Sequence, residues 1–228
     1  MTGAGSAAIR GGDRSSISNL GDGWISSKMG PAVALGHRAS VFNGGSMLSQ
    51  AGTALSLGDS SKLDNRGLVS GGNNAVTFGA DGELYNRMGG RILGNSTVAP
   101  TVVMNSGSNL LVNAGLIDGS VLNSGGSIIL FSASAGGLSR LTNEVGGVIG
   151  NSDDAGVLNA VATKIGSGGI VVENLGTIHG TLDLSEAEGS EIHNGVRSNA
   201  SPSNGATGAL INGHVRFGGG ADRLHNNG

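Results

Sequence analysis

The chain has 228 residues, 45 of them glycine, with three prolines, no cysteine, 13% charged residues and a net charge of −3. Abundant glycine with so little proline and no G-X-Y period excludes collagen, and low charge beside 37% hydrophobic residues excludes a disordered tail. The absence of any Lys/Arg run argues against a nucleic-acid-binding face, the absence of cysteine excludes a disulfide framework and a thiol nucleophile, and no apolar run approaches the roughly 18 residues of a membrane-spanning helix.

In chain order, Met1-Thr2-Gly3-Ala4-Gly5 has neither the basic nor the apolar region of a signal peptide. Gly3-Ala4-Gly5-Ser6-Ala7-Ala8 formally matches a dinucleotide fingerprint, but no strand precedes it, as that site requires. Residues 1–16 therefore read as a leader or a first partial coil. From residue 17 to residue 228 one pattern recurs: an aliphatic residue, a variable residue, then asparagine, with glycine soon after. Asn19, Asn43, Asn65, Asn86, Asn113, Asn143, Asn174, Asn194 and Asn226 follow one another at intervals of 24, 22, 21, 27, 30, 31, 20 and 32 residues. The residue two before each asparagine is aliphatic in all nine copies, and the residue between is mostly polar or charged, as in Ser18, Asp64, Thr142, Glu173, His193 and His225. This is period-two alternation, the signature of a half-buried strand.

A second short strand is expected before the asparagine, as in Leu55-Ser56-Leu57, Val76-Thr77-Phe78, Leu182-Asp183-Leu184 and Val215-Arg216-Phe217. A third is expected after it, as in Leu68-Val69-Ser70, Leu116-Ile117-Asp118 and Thr177-Ile178-His179. Three short strands joined by tight corners, with a minimum period near 20 residues, describe one coil of a parallel β-helix. The expected fold is all-β, a right-handed parallel β-helix (solenoid) of about nine coils, in which each coil pairs its backbone with the next. Glycines are expected to supply positive φ at the corners. The asparagines are expected to stack into a buried hydrogen-bonded ladder. The six aromatic residues suit thin layers of small aliphatic side chains better than a compact core. Longer intervals imply insertions, placed at residues 95–101, 132–140, 151–163 and 197–207.

Few residues carry chemistry. Gly218-Gly219-Gly220-Ala221-Asp222-Arg223-Leu224 faintly matches a calcium-binding nonapeptide, but in a single imperfect copy where successive turns are needed. Asp153-Asp154 is the one adjacent acidic pair and has no aromatic sugar platform nearby; Lys164 is its closest cation. Asp183, Glu186, Glu188 and Glu191 read as a solvated acidic face of one coil. Of the five histidines, His193 and His225 share one repeat position and are expected to point outward. They lie close together only if the span from Asn194 to Asn226 is a single coil; surface decoration is then weighed against a metal pair. Asn95-Ser96-Thr97 and Asn199-Ala200-Ser201 match the glycosylation sequon by chance, and no Gly-x-Ser-x-Gly elbow occurs. No catalytic, cofactor or metal residue is assigned, and the chain is expected not to be an enzyme.

Stretches such as Val112-Asn113-Ala114-Gly115-Leu116-Ile117-Asp118-Gly119 and Val172-Glu173-Asn174-Leu175-Gly176-Thr177-Ile178-His179-Gly180 resemble the passenger repeats of bacterial autotransporters. Residues 213–228 are similar to them as well, and the pattern covers the chain from about Ile17 onward. The resemblance implies a β-helix passenger exported through a C-terminal outer-membrane β-barrel and displayed on a Gram-negative cell. The sequence itself reads as an excised fragment of such a passenger. The function expected is adhesion to host matrix molecules, host cells or sister cells, self-association included. No contact with nucleic acid is expected, nor with the membrane by this fragment itself. A non-binding stalk is the alternative, and a polysaccharide-acting β-helix enzyme is a third reading. Residues 151–163 and 197–207 are the first places expected to hold a binding site.

Overall fold

The computed structural model describes residues 6–119, 126–132, 137–150, 159–163, 168–195 and 208–227. All regular structure among them is β, in strands of two to eight residues. These form three parallel sheets of nine, nine and eight strands. Strands pair only with strands three places away in the chain, so the hydrogen bonds run from coil to coil. The fold is a parallel β-helix of about nine coils, roughly 40 Å long at about 4.8 Å per coil.

One coil shows the construction. Leu55–Leu57 lies in the first sheet, Lys62–Asn65 in the second and Leu68–Gly71 in the third. Alternation turns Leu55, Leu57, Leu63 and Val69 inward, where each is at most 4% exposed. Strict register places equivalent side chains in columns. In the second sheet Leu63, Leu84, Leu111, Leu141, Val172 and Ile192 succeed one another as paired residues. The third sheet stacks Met47, Val69, Ile92 and Ile117, and the first stacks Leu57, Phe78, Met104 and Phe131. Each fully buried side chain of this size contributes about 1.5–3 kcal/mol, so the core is a sum of thin aliphatic layers.

Within residues 1–16, Ile9–Gly11 is the first strand of the first sheet, with Ile9 opposite Val33. Two insertions are shorter than expected. Leu138–Asn143 is a strand whose Arg140 pairs with Leu110, and Asn159–Thr163 is a strand of the first sheet, so residues 138–140 and 159–163 belong to the coil. Residues 151–158 and 197–207, with Asp153, Asp154 and Asn199, lie outside the described residues, as do residues 1–5, 133–136 and Lys164.

The role expected of corner glycines holds at some corners: Gly21, Gly89 and Gly146 have φ of 48–83° between the second and third sheets, and Gly189 and Gly220 have φ of 82 and 98° between the first and second. In the first four coils the left-handed position of the corner between first and second sheets is held instead by Arg14, Arg38, Ser60 and Asp81, with φ of 54–56°, and in the next coil by Gly107. The N–H of each of these four non-glycine residues donates to a carbonyl of the following coil, for example Arg38 N to Asp59 O at 2.7 Å. That bond holds the conformation. At the corner after the asparagines glycine also meets a second need. A Cβ on Gly45, Gly67 or Gly115 would stand 2.2, 2.0 or 2.2 Å from a backbone carbonyl oxygen of the preceding coil. None of these three glycines has positive φ. They are glycine because the stacked backbones leave no room for a side chain.

Candidate functional site

The nine repeat asparagines close the second-sheet strands. Asn19 Nδ2 donates to Asn43 Oδ1 at 2.9 Å, and the same bond follows from Asn43 to Asn65, Asn65 to Asn86, Asn86 to Asn113, Asn113 to Asn143 and Asn143 to Asn174 at 2.8 Å each. Asn174 donates to Asn194 at 2.7 Å and Asn194 to Asn226 at 2.9 Å. The second amide hydrogen serves a corner carbonyl: Asn43 Nδ2 also donates to Leu68 O at 3.1 Å, and Asn113 Nδ2 to Val148 O at 3.1 Å. A side chain that both donates and accepts is required to sit buried in such a column. The ladder is therefore a structural spine, and its residues from Asn19 to Asn194 are buried, with only Asn226 exposed.

The chemistry faces outward from the same strands. Over the second to fourth coils the second sheet presents Phe42, Lys62, Asp64, Arg66, Glu83, Tyr85 and Arg87 side by side. Arg87 reaches back one coil and donates from Nε and Nη2 to Asp64 Oδ2 at 3.1 and 2.9 Å. Arg66 Nε stands 3.7 Å from Asp64 Oδ1, and Lys62 Nζ stands 3.5 Å from Glu83 Oε2. The Tyr85 ring has the Lys62 ammonium 4.4 Å and the Arg87 guanidinium 4.8 Å from its centroid, and Arg66 lies 5.6 Å from that of Phe42. Tyr85 donates its hydroxyl proton to Glu83 Oε2 at 3.2 Å. Burial, and then the Glu83 charge, push its phenol above the ordinary range, while Lys62 and Arg87 pull the other way. The patch is a flat face of aromatic rings and paired charges with the cationic heads in solvent: Arg66 is 62% and Lys62 47% exposed.

The acidic residues expected on one face are divided. Asp183 belongs to the first sheet and Glu191 to the second, with Gly189 at a φ of 82° between their strands. Asp183 is paired with Arg216 at 3.4 Å. His193 and His225 are brought together, because Asn194 to Asn226 is one coil and the two histidines are register partners. Their rings stack at 4.8 Å with an interplanar angle of 3°. His193 is not exposed as expected: its position faces outward, but the stacked ring and Glu191 cover it to 8% exposure. Its Nε2–H donates to Glu191 Oε1 at 2.7 Å. Glu191, His193 and His225 place one ligand atom each within 4.8 Å of the others, a set that suits a metal ion.

The calcium-like stretch is used otherwise. Asp222 Oδ1 accepts the Ser190 N–H at 2.7 Å, and Gly218 and Gly219 lie within a strand. A groove of about 630 Å³ at the first corner is lined by Asp13, His37, Asp59 and Asp81. Its acids serve as caps: Asp13 Oδ1 accepts His37 N–H at 2.9 Å, Asp59 Oδ1 accepts Ala80 N–H at 2.8 Å and Asp81 Oδ1 accepts Ser108 N–H at 2.8 Å. These caps escaped the sequence reading. So did a polar row four residues before the asparagines, Ser61, Asn109, Ser139 and Asp222, whose oxygens accept backbone N–H groups of the preceding coil.

No family model, curated protein or solved structure matches the chain.

Proposed function

We propose that the chain is a rod-like passenger segment of the bacterial autotransporter type, displayed on the surface of a Gram-negative cell, and that it mediates attachment to host matrix, host cells or sister cells. The observation that carries this reading is the outer face of the second sheet. Aromatic rings and arginines set among compensating carboxylates, on a flat and rigid support, are the residue types that anchor protein contacts. The Asn ladder beneath the patch fixes the backbone spacing of its coils, so no backbone ordering opposes binding. Display in many copies multiplies weak contacts into firm attachment.

The test couples the chain to inert beads and counts attachment to host cells, to matrix proteins and between beads. Replacing Arg66, Tyr85 and Arg87 together by alanine is expected to reduce attachment more than about tenfold while the far-ultraviolet dichroism is unchanged. Unchanged attachment by this variant, with loss on deletion of residues 197–207, would move the site to those residues.

The stalk reading has its own support. Eight consecutive ladder bonds run unbroken along the rod, and the charges of the patch are already paired within the molecule. A stalk predicts no attachment of the intact chain to any surface.

A further inference from the structure

We propose that Glu191, His193 and His225 form a binding site for one divalent transition-metal ion of the zinc type, which ties the last two described strands of the second sheet together. Two imidazoles and a carboxylate are the donors that borderline ions such as Zn²⁺, Ni²⁺ and Co²⁺ select, whereas Ca²⁺ and Mg²⁺ want oxygen ligands. The fold delivers these donors without a dedicated loop. Glu191 and His193 are two residues apart on one strand, so both project from the outer face. His225 is the register partner of His193 on the next strand.

The geometry lies close to what coordination needs. A tetrahedral ion about 2.0–2.1 Å from each donor places the donors roughly 3.3 Å apart. Glu191 Oε1 and His193 Nε2 stand 2.7 Å apart and share a proton that the ion would displace. All three ligand atoms lie within 4.8 Å of one another. His225 is exposed, so rotation about its side-chain bonds brings its nitrogen in and breaks the parallel stack. A fourth position stays open to water. The surrounding charges favour a cation on one side only. Glu173 precedes His193 in the same outward row and accepts hydrogen bonds from Arg140 and Thr142. Arg223 is the register partner of Glu191 and places a positive charge beside the site.

The test titrates Zn²⁺ into the intact chain by calorimetry and Co²⁺ by visible absorption. One ion per chain is expected, with no competition from excess Mg²⁺ or Ca²⁺. His225→Ala and His193→Ala should each weaken Zn²⁺ binding by more than about tenfold, and Glu191→Gln should weaken it as well. Arg223→Gln should strengthen it, and His37→Ala, distant in the first corner, should leave it unchanged. His225 is exposed at the edge of the sheet, so its replacement keeps the fold, which dichroism verifies. Failure of the intact chain to bind Zn²⁺ overturns the proposal. So does binding that survives both His225→Ala and Glu191→Gln undiminished.

Discussion

At the scale of single residues, position along the rod decides how much an asparagine contributes. Asn86 donates to Asn113, accepts from Asn65 and also serves Gly90 and Leu116 carbonyls. Asn86→Ala leaves those buried carbonyl oxygens short of a donor and opens a small void. A loss of about 2–4 kcal/mol is expected in denaturant unfolding. Asn226 is exposed and accepts one bond from Asn194, whose amide keeps Ala209 O at 3.3 Å, so Asn226→Ala should cost about 0.5–1.5 kcal/mol. Equal costs at the two sites would show that the ladder does not act as a buried column. Glycines divide by a similar argument. Gly67→Ala sets a Cβ 2.0 Å from the Gly45 carbonyl oxygen, and no rotamer relieves a clash with backbone. About 3 kcal/mol or more should be lost, because the inter-coil bonds fix the spacing. Ser60→Gly, at a φ of 54°, should instead stabilise by about 0.5 kcal/mol, as relief of the left-handed strain exceeds the added entropy of the unfolded chain.

At the scale of strands, the second sheet carries its own reporter. Tyr85 is the single tyrosine, so ultraviolet titration of the folded chain reads that phenol alone. Its midpoint should lie above 10.0, because burial and then the Glu83 carboxylate disfavour the phenolate. Glu83→Gln should lower the midpoint, and Lys62→Ala should raise it. The sign for stability follows: the fold favours the neutral phenol, so this contribution is present below the ordinary tyrosine range and is lost as pH rises through the raised value. A midpoint insensitive to both replacements would mean that the three side chains are not held together across the coils. The strands were legible wherever a marked residue ended them, since asparagine two places after an aliphatic identifies the second sheet in every coil. They were missed where the inward residue is polar. Ser139 is 1% exposed and sits inward because its hydroxyl accepts the Asn109 N–H, so 138–140 read as loop. The pairing of His193 with His225 depended on one coil length that the sequence left open. The patch at Lys62–Arg87 was invisible in the sequence, because its partners come from coils 21 to 23 residues apart.

At the scale of the molecule, stability is local to neighbouring coils, so the rod should tolerate loss of a whole coil and nothing less. Residues 44–65 span one complete coil, from the position after Asn43 through Asn65, an interval of 22 residues. Their removal joins Asn43 to Arg66. The two-residue corner Gly44-Gly45 is then replaced by Arg66-Gly67, which has the same length and the same close-approach glycine. Trp24–Ser27 then meets Leu68–Gly71, Val33–Leu35 meets Val76–Phe78, and Ser40–Asn43 meets Glu83–Asn86. Inward Val41 faces Leu84, and Asn43 donates to Asn86 in place of Asn65. Each new neighbour repeats a pairing already present one coil away. The shortened chain should fold with the same dichroism per residue and unfold cooperatively, at a lower midpoint because one layer of core is gone. Removal of residues 44–54 instead cuts half a coil. The next strand then reaches the wrong sheet and the asparagine column is broken, so this variant should fail to give a cooperative transition. Thermal unfolding followed by dichroism separates the two outcomes. If the 22-residue deletion also abolished the transition, the repeat would not be the unit of folding.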